Sequence, residues 1–570
     1  MPVDVNFMVG GEAGQGVQSV GYLLARALAR GGYHVFADQD YESRIRGGHN
    51  FFRVRAGSQQ VGALLESVDV LVALNRESID LHQRELSPKG VVVCDQKDVK
   101  TPADGVNLLA LPLQRLAEES AGKKLMANTV SLGAALGVVG YDLRLASDVV
   151  RAHFGAGEVG EGNVAAVAAG YRYAQDNFRS PSVSLSPVGG GKMLLSGNEA
   201  VALGALAAGC RFIAAYPMTP STPIMEYIAS KADKLGAVVV QPEDEIAAVN
   251  MVVGAAFAGV RAMTATSGSG FCLMVEGLGL AGITETPVVI VDGQRPGPAV
   301  GLPTRTEQGD LLFAIHAHHG DFPRAVLAPA TVEDAFWLTV KAFNLSEKFQ
   351  IPVILLTDHY LATSYATVDE LDLSRVTIDR GQLLSKEELA DATGYKRHLI
   401  TESGVSPRAL PLDGKALVVT DADEHDEAGH LTEDAETRTA MMLKRLRKVE
   451  GLRKEIGQPR LHGLPDGDIT LVGWGSTYGA LREAVDLASQ DGLKVGLVHL
   501  SEVWPFPAES VSWALHRAKR VMAVENNATG QLARLIRAET GRHIESTILR
   551  FDGRPLSPAY ILRRVKKEML

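Results

Sequence analysis

Short apolar runs alternate with helical periodicity along most of this chain. That alternation restricts it to layered α/β folds. The pattern opens with the run 5–9, then Gly10-Gly11-Glu12-Ala13-Gly14-Gln15-Gly16. Val17, Val20, Leu24 and Leu28 follow at helical spacing, closed by Gly31-Gly32. Further strands are expected at 70–74 and 91–94. A second series places strands at 212–215, 237–241, 260–266, 287–292 and 352–357. Helices are expected between them at 198–209, 222–234, 243–258, 268–282 and 331–348. A third series has strands at 469–474, 495–500 and 521–524 with a helix at 478–490. A length of 570 residues accommodates this as several α/β domains. The expected division is 1–177, a Pro/Ser/Gly linker at 178–192, 193–365, an irregular charged segment at 366–465, and 466–570. In the charged segment a helix is expected near Thr432 as N-cap. Glu433 and Asp434 would lie in its first turn, with Lys444, Arg445, Arg447 and Lys448 complementing the dipole at its far end.

Cysteine usage narrows the chemistry. Cys94, Cys210 and Cys272 are isolated, so a disulfide framework and a four-cysteine zinc or iron–sulfur site are excluded for this chain alone. A reducing, cytoplasmic setting is expected. Net charge is -10, which argues against nucleic acid as the partner. Met1-Pro2-Val3-Asp4 lacks a basic leader, and the uncharged run 125–141 carries Asn128, Thr129 and three glycines. It reads as a buried helix rather than a membrane span.

Five motifs sit at strand-to-helix turns, where α/β folds place ligands. Gly11, Gly14, Gln15 and Gly16 are candidate phosphate contacts at a helix N-terminus. Read instead as a nicotinamide fingerprint, the loop would use Asp38 or Asp40 for the ribose; a tight structural turn is the plainer alternative. Tyr216-Pro217-Met218-Thr219-Pro220-Ser221-Thr222-Pro223 is a rigid turn in which Ser221 or Thr222 can cap the next helix and Thr219 projects at the strand end. In Gln241-Pro242-Glu243-Asp244-Glu245, two acids suit the helix dipole, while Glu245 runs into an apolar stretch and is a candidate buried acid/base. Ser267 and Gly268, within Thr264-Ala265-Thr266-Ser267-Gly268-Ser269-Gly270, permit close approach of a ligand. Arg295, after another apolar run, can fork onto a carboxylate or form a structural ion pair. His316, His318 and His319 are badly spaced for a shared metal. The acidic 421–427 loop matches no calcium loop.

These residues together resemble the fused γ–α subunit of 2-oxoacid:ferredoxin oxidoreductases, nearest to the 2-oxoglutarate type. GGEAGQG and Arg46-Gly47-Gly48 are similar to the γ part, with Ala13 where a glycine is usual. YPMTPSTP, PEDEIAA, TATSGSG and QRPGPAVGLPTRTEQGD resemble a thiamine-diphosphate pyrimidine-binding domain. Trp504-Pro505-Phe506-Pro507 and Glu525-Asn526-Asn527 resemble a transketolase-C-like domain. The resemblance implies oxidative decarboxylation of a 2-oxoacid, 2-oxoglutarate above all, to the acyl-coenzyme A, with ferredoxin taking the electrons. It implies that Glu245 serves the cofactor's pyrimidine ring, with Tyr216, Pro217, Ser267 and Gly268 around it. Thr219 and Arg295 would hold the substrate beside the reactive carbon, and Thr304 would sense the rest of it. The 10–16 loop would contact phosphate or coenzyme A. No Gly-Asp-Gly magnesium motif is present, so Mg2+ and a [4Fe-4S] cluster are expected in a separate β subunit, within a dimer of αβ units. Pyruvate, branched-chain and aryl 2-oxoacids are the alternative substrates. A nicotinamide dehydrogenase and a non-catalytic interaction subunit are the alternatives of another class.

Overall fold

The computed structural model describes residues 3–43, 47–99, 106–178, 184–464 and 466–569. Arg46 and residues 179–183 of the expected linker lie outside the described residues. The chain forms two compact units, one of residues 1–196, 363–371 and 557–570, the other of 197–362 and 372–556.

The first unit is built on an eight-stranded sheet of order β6-β5-β4-β1-β3-β2-β14-β7. Its strands are β1 (Asp4–Glu12), β2 (His34–Asp40), β3 (His49–Gly57), β4 (Val68–Ala73), β5 (Leu86–Asp95), β6 (Asn107–Leu111), β7 (Met193–Ser196) and β14 (Tyr365–Val368). β1, β4, β5 and β6 run parallel, whereas β3 lies antiparallel between β1 and β2. The helix Val17–Arg30 buries Val17, Val20, Leu24 and Leu28, as their spacing requires. The uncharged run is the helix Ala127–Val138, buried along almost its whole length. It meets the helix Glu158–Asn177 backbone to backbone: a Cβ on Gly133 would strike Val167 O, and one on Gly170 would strike Val130 O. Among the described residues no helix is long and apolar enough to cross a membrane.

The second unit carries two sheets. The larger has order β18-β12-β13-β11-β10-β8-β9, comprising β8 (Phe212–Ala214), β9 (Val238–Val240), β10 (Ala262–Thr266), β11 (Val288–Gln294), β12 (Ala325–Leu327), β13 (Pro352–Asp358) and β18 (Glu502–Trp504). All are parallel except β18. The smaller has order β15-β17-β16-β19-β20, formed by β15 (Arg460–Gly463), β16 (Ile469–Trp474), β17 (Val495–Leu500), β19 (Val521–Glu525) and β20 (Ser546–Leu549). One apolar cluster joins them, with Ile290, Ile354 and Leu311 packed alongside Val472, Trp474 and Val498. The helix expected over 268–282 is two helices, Gly268–Leu273 and Val275–Ile283, breaking at Met274.

The charged segment departs from expectation. Its helix is Ala435–Glu455, capped by Asp434, whose side chain accepts from Thr437 N. Thr432 instead accepts from Asp434 N at 3.2 Å. The basic residues do not simply complement a dipole: Lys444, Arg445 and Lys448 are buried. Lys444 and Lys448 pair with Glu285, and Arg445 with Glu424. Glu285 also bonds His398 Nδ1 at 3.0 Å. Arg397 donates to Glu285 O at 2.7 Å and to Gln350 Oε1 at 2.8 Å. Burial pushes the Lys448 ammonium down to about 7 despite Glu285 beside it. These bonds hold the irregular chain against the larger sheet's helices.

Candidate active site

β8 delivers the Tyr216–Pro223 turn at its C-terminal end. Asn198 Nδ2 donates to Pro220 O at 2.8 Å, and Ser221 Oγ donates to Thr266 O at 2.5 Å. Ser221 therefore stands at the N-cap position of the helix Thr222–Leu235 without capping it. Its buried hydroxyl ties this turn to the end of β10, leaving Thr219 half-buried at the rim.

Glu245 begins the helix Glu245–Phe257, and Asp244 caps it by accepting from Ala247 N at 2.8 Å. The Glu245 side chain turns inward; the residue is only 4% exposed and forms no ion pair among the described residues. The first turn of the Gly268–Leu273 helix presses on it. A Cβ at Gly270 would lie 2.5 Å from Glu245 Oε1 and 2.8 Å from its Cγ, and closer still to Thr266 Oγ1. Ser267 Oγ and Thr264 Oγ1, nearby at the end of β10, are buried with no hydrogen-bond partner.

The end of β11 gathers these pieces. Arg295 Nη1 donates to Thr219 O at 2.8 Å, so the two residues expected to share a substrate do meet, and burial lowers the guanidinium's pKa from its ordinary value. Gly293 packs on Pro220 and Ser221. Gln294 accepts from Asp310 N at 3.0 Å and donates to Thr357 O at 2.9 Å. Thr304 is half-buried on the loop beyond Arg295 and makes no hydrogen bond to the described residues. The loop turns sharply at Gly301 (φ 56), where a Cβ would strike Pro296 O. Tyr216 is exposed and Pro217 half-buried on the same rim.

Sequence reasoning missed the polar frame behind the site. Gln308 Nε2 donates to Asp358 Oδ2 at 3.2 Å and Trp474 O at 3.3 Å. Gln531 clasps the same loop through Gly309 O at 2.6 Å and Leu312 N at 2.9 Å. Asp358 also accepts from Ser476 Oγ; burial pushes its carboxyl up. The EQGD motif was legible, but its partners lie 166 and 222 residues away, beyond any spacing rule. Among the described residues no group of three or more His, Cys, Asp or Glu could hold a metal. His318 stacks on Phe322 at 3.9 Å, and Glu424 of the acidic loop is taken by Arg438 and Arg445.

In the first unit, β1 continues through Gly10 and Gly11, so the loop proper is 13–16. Gln15 Oε1 accepts from Glu12 N at 2.7 Å and Asn75 Nδ2 at 3.3 Å, so its side chain closes the loop upon itself. Gly14 and Gly16 have φ of 91 and 83, whereas Ala13 is not at positive φ, which explains why alanine serves there. The nicotinamide reading fails on topology. A dinucleotide fold needs the strand after the first helix parallel beside β1; here β2 pairs antiparallel with β3 and β14. Asp38 lies on β2, between β3 and β14, near Ser364 at 3.5 Å, pushed up to about 8 by burial and by Asp40.

Comparison with known proteins agrees with this geometry. Residues 203–444 match the family model "Pyruvate flavodoxin/ferredoxin oxidoreductase, thiamine diP-bdg", residues 6–173 match "Pyruvate ferredoxin/flavodoxin oxidoreductase", and residues 467–561 match "Pyruvate:ferredoxin oxidoreductase core domain II". The chain is 34% identical to subunit alpha of 2-oxoacid:ferredoxin oxidoreductase 2 from Aeropyrum pernix, over 99% of this chain and 98% of that one. It is 35% identical to 2-oxoglutarate synthase subunit KorA from Methanothermobacter thermautotrophicus, over 65% of this chain and 98% of that one. Its fold matches the solved 2-oxoglutarate:ferredoxin oxidoreductase from Magnetococcus marinus, which has 2-oxoglutarate, coenzyme A and succinyl-CoA bound. That match has a TM-score of 0.93 and 34% identity, and covers all of both chains. The buried Glu245, the Arg295–Thr219 contact and this full-length similarity converge: the chain belongs to the 2-oxoacid:ferredoxin oxidoreductases, thiamine-diphosphate-dependent enzymes, as their α-type large subunit.

Proposed function

We propose that this subunit oxidises 2-oxoglutarate to succinyl-coenzyme A, or runs the reverse reaction, with ferredoxin as electron partner. A separate β subunit would hold the diphosphate, Mg2+ and an iron–sulfur cluster. The observation that carries the reading is Arg295 held against Thr219 at 2.8 Å, in a chain alike over its full length to a 2-oxoglutarate enzyme. The three matched segments support a γ-like unit, a pyrimidine-binding domain and a C-terminal domain.

The residues present fit an aminopyrimidine. A buried carboxyl at Glu245, a glycine surface at Gly268 and Gly270, and the unpartnered Ser267 hydroxyl form a small polar cradle. Thiamine diphosphate supplies a carbon nucleophile that adds to the 2-oxo carbon and takes up the electrons left by decarboxylation. Glu245 would hydrogen-bond the ring nitrogen and hold a proton there. Arg295 would fork onto the 1-carboxylate. Thr219, joined to Arg295 through its carbonyl, would place its hydroxyl beside the reacting carbon, and Thr304 would face the remainder of the substrate. The 13–16 loop presents the uncapped N-terminus of the helix Val17–Arg30, with no acid in its first turn; that suits a coenzyme A phosphate.

The test is anaerobic viologen reduction by the native complex, dependent on thiamine diphosphate and coenzyme A, across a panel of 2-oxoacids. Preference for 2-oxoglutarate is expected. Activity confined to pyruvate, branched-chain or aryl acids overturns the substrate; activity with none overturns the reaction.

A further inference from the structure

Behind the cradle lie two carboxyl groups that no expected role uses. Asp292 is fully buried in β11, and neither carboxylate oxygen has a hydrogen-bond partner. Its neighbour across the sheet is Thr266, the last residue of β10. Two residues further on, Gly268 touches Asp310: a Cβ there would lie 2.5 Å from Asp310 Oδ2, itself buried without a partner. Gln294, two residues along β11 from Asp292 and so on the same face, fixes Asp310 through its backbone N–H at 3.0 Å. Strand register, the Gly268 contact and the Gln294 bond thus bring both carboxyls to one place. No lysine, arginine or histidine pairs with either among the described residues.

A fully buried carboxylate facing a half-buried one whose Oδ2 is enclosed, with no counter-charge for either, does not leave both ionised. We propose that Asp292 and Asp310 retain one proton between them, and that this singly charged pair sets the 267–270 turn against Glu245. Both are positioning residues, and the proposal rests on Glu245 serving the thiamine site. The chain of contact is short and has no slack. Asp310 meets the turn at Gly268, and the turn meets Glu245 at Gly270, so a displaced carboxyl moves the turn directly onto Glu245. Burial pushes Asp310 up to about 6, and burial with the Asp310 charge pushes Asp292 well above the carboxylate range. The other titratable groups facing the pair are acids and a thiol. Glu307 on the same loop is raised by burial and by Asp310; Cys272 on the glycine-led helix is raised by burial and by both aspartates. Glu245 stands across the turn, and Asp358 ends the adjacent strand.

The experiment uses the native complex, first confirmed to have thiamine-dependent turnover; absence of turnover in the wild type would sink the functional reading rather than the pair. Turnover at saturating substrates and thiamine diphosphate affinity are then measured from about pH 6 to 9 for wild type, D310N, D292N, D310A and C272S. D310N and D292N keep the shape and a hydrogen and cannot add a second charge. They are expected to retain at least roughly a third of neutral turnover and to lose less of it toward alkaline pH than wild type. D310A is expected to fall by on the order of 10²-fold in turnover, with thiamine affinity weakened. C272S is expected to keep the wild-type alkaline limb. If D310N and D292N fall as far as D310A while their melting temperatures match wild type, or if their alkaline limbs coincide with wild type, the shared proton is overturned.

Discussion

Gly270→Ala is the sharpest test of how Glu245 is held. The added methyl would sit 2.5 Å from Glu245 Oε1, where ordinary contact begins at 3.4 Å. Roughly 1 Å must therefore be recovered by moving Glu245, Thr266 or the helix itself, because the first turn is bounded on its other side by Asp310 against Gly268. Overpacking of this kind costs about 1–3 kcal/mol, which a protein with two extensive cores can absorb. A 1 Å displacement of an acid/base group costs on the order of 10² in rate. We therefore expect a folded complex with thiamine diphosphate affinity weakened at least about tenfold and turnover reduced about a hundredfold. Gly279, in the helix Val275–Ile283, has nothing within 4 Å of a built Cβ, and Gly279→Ala is the matched control, expected to be neutral. The assay pairs reconstitution of the cofactor-free complex, titrated with thiamine diphosphate, with viologen reduction. Wild-type affinity and turnover in Gly270→Ala would show that Glu245 is not confined by this turn and would remove the basis for its assigned role.

Glu245→Gln should abolish thiamine-dependent turnover while leaving the melting temperature within a few degrees of wild type; unchanged turnover would favour a non-catalytic interaction subunit. Arg295→Lys keeps the charge but not the fork, and should raise KM for the 2-oxoacid by about tenfold or more with a smaller change in kcat. Glu285→Gln leaves Lys444 and Lys448 buried with less counter-charge, a lesion worth about 3–5 kcal/mol, and should appear as faster hydrogen exchange across 372–455. Glu424 is raised by burial, but hydrogen bonds from Arg445 and Arg438 outweigh this and hold it at about 2 against 4.5 unperturbed. Because its folded value is depressed, its contribution is intact above about pH 4.5 and drains away as pH falls toward 2; the 421–431 loop should exchange faster in that window, and Glu424→Gln should reproduce the change at neutral pH.

The elements nearest the site were readable because each announces itself locally. Glu245 stands where an acidic helix start runs into an alanine- and valine-rich stretch, and burial of that one acid follows from the pattern. Asp244 caps as its residue type suggests. The antiparallel pair β2 and β3 was not legible: His34–Asp40 and His49–Gly57 mix charged and apolar residues, and their order in the sheet depends on β14, over 300 residues later. Lys444 and Lys448 looked like dipole complements because a sequence does not display Glu285, 159 residues from Lys444, as their partner. The same holds for Gln308 and Gln531, whose amides matter only once two sheets share a core.

The first unit draws its eight-stranded sheet from stretches that the second unit interrupts. During synthesis, β7 emerges at residue 196, but β14, which joins it to β2, emerges only after strands β8–β13 of the larger sheet. Until then the β2 edge is an unfinished seam with free N–H and C=O groups, a template for mispairing. The nested order makes the ribosome a timekeeper: the parallel strands β8–β13 are all made while the first unit's sheet is still unfinished. Slowing elongation across 197–362 should lengthen that exposure and raise aggregation, even though it alters no residue in either sheet.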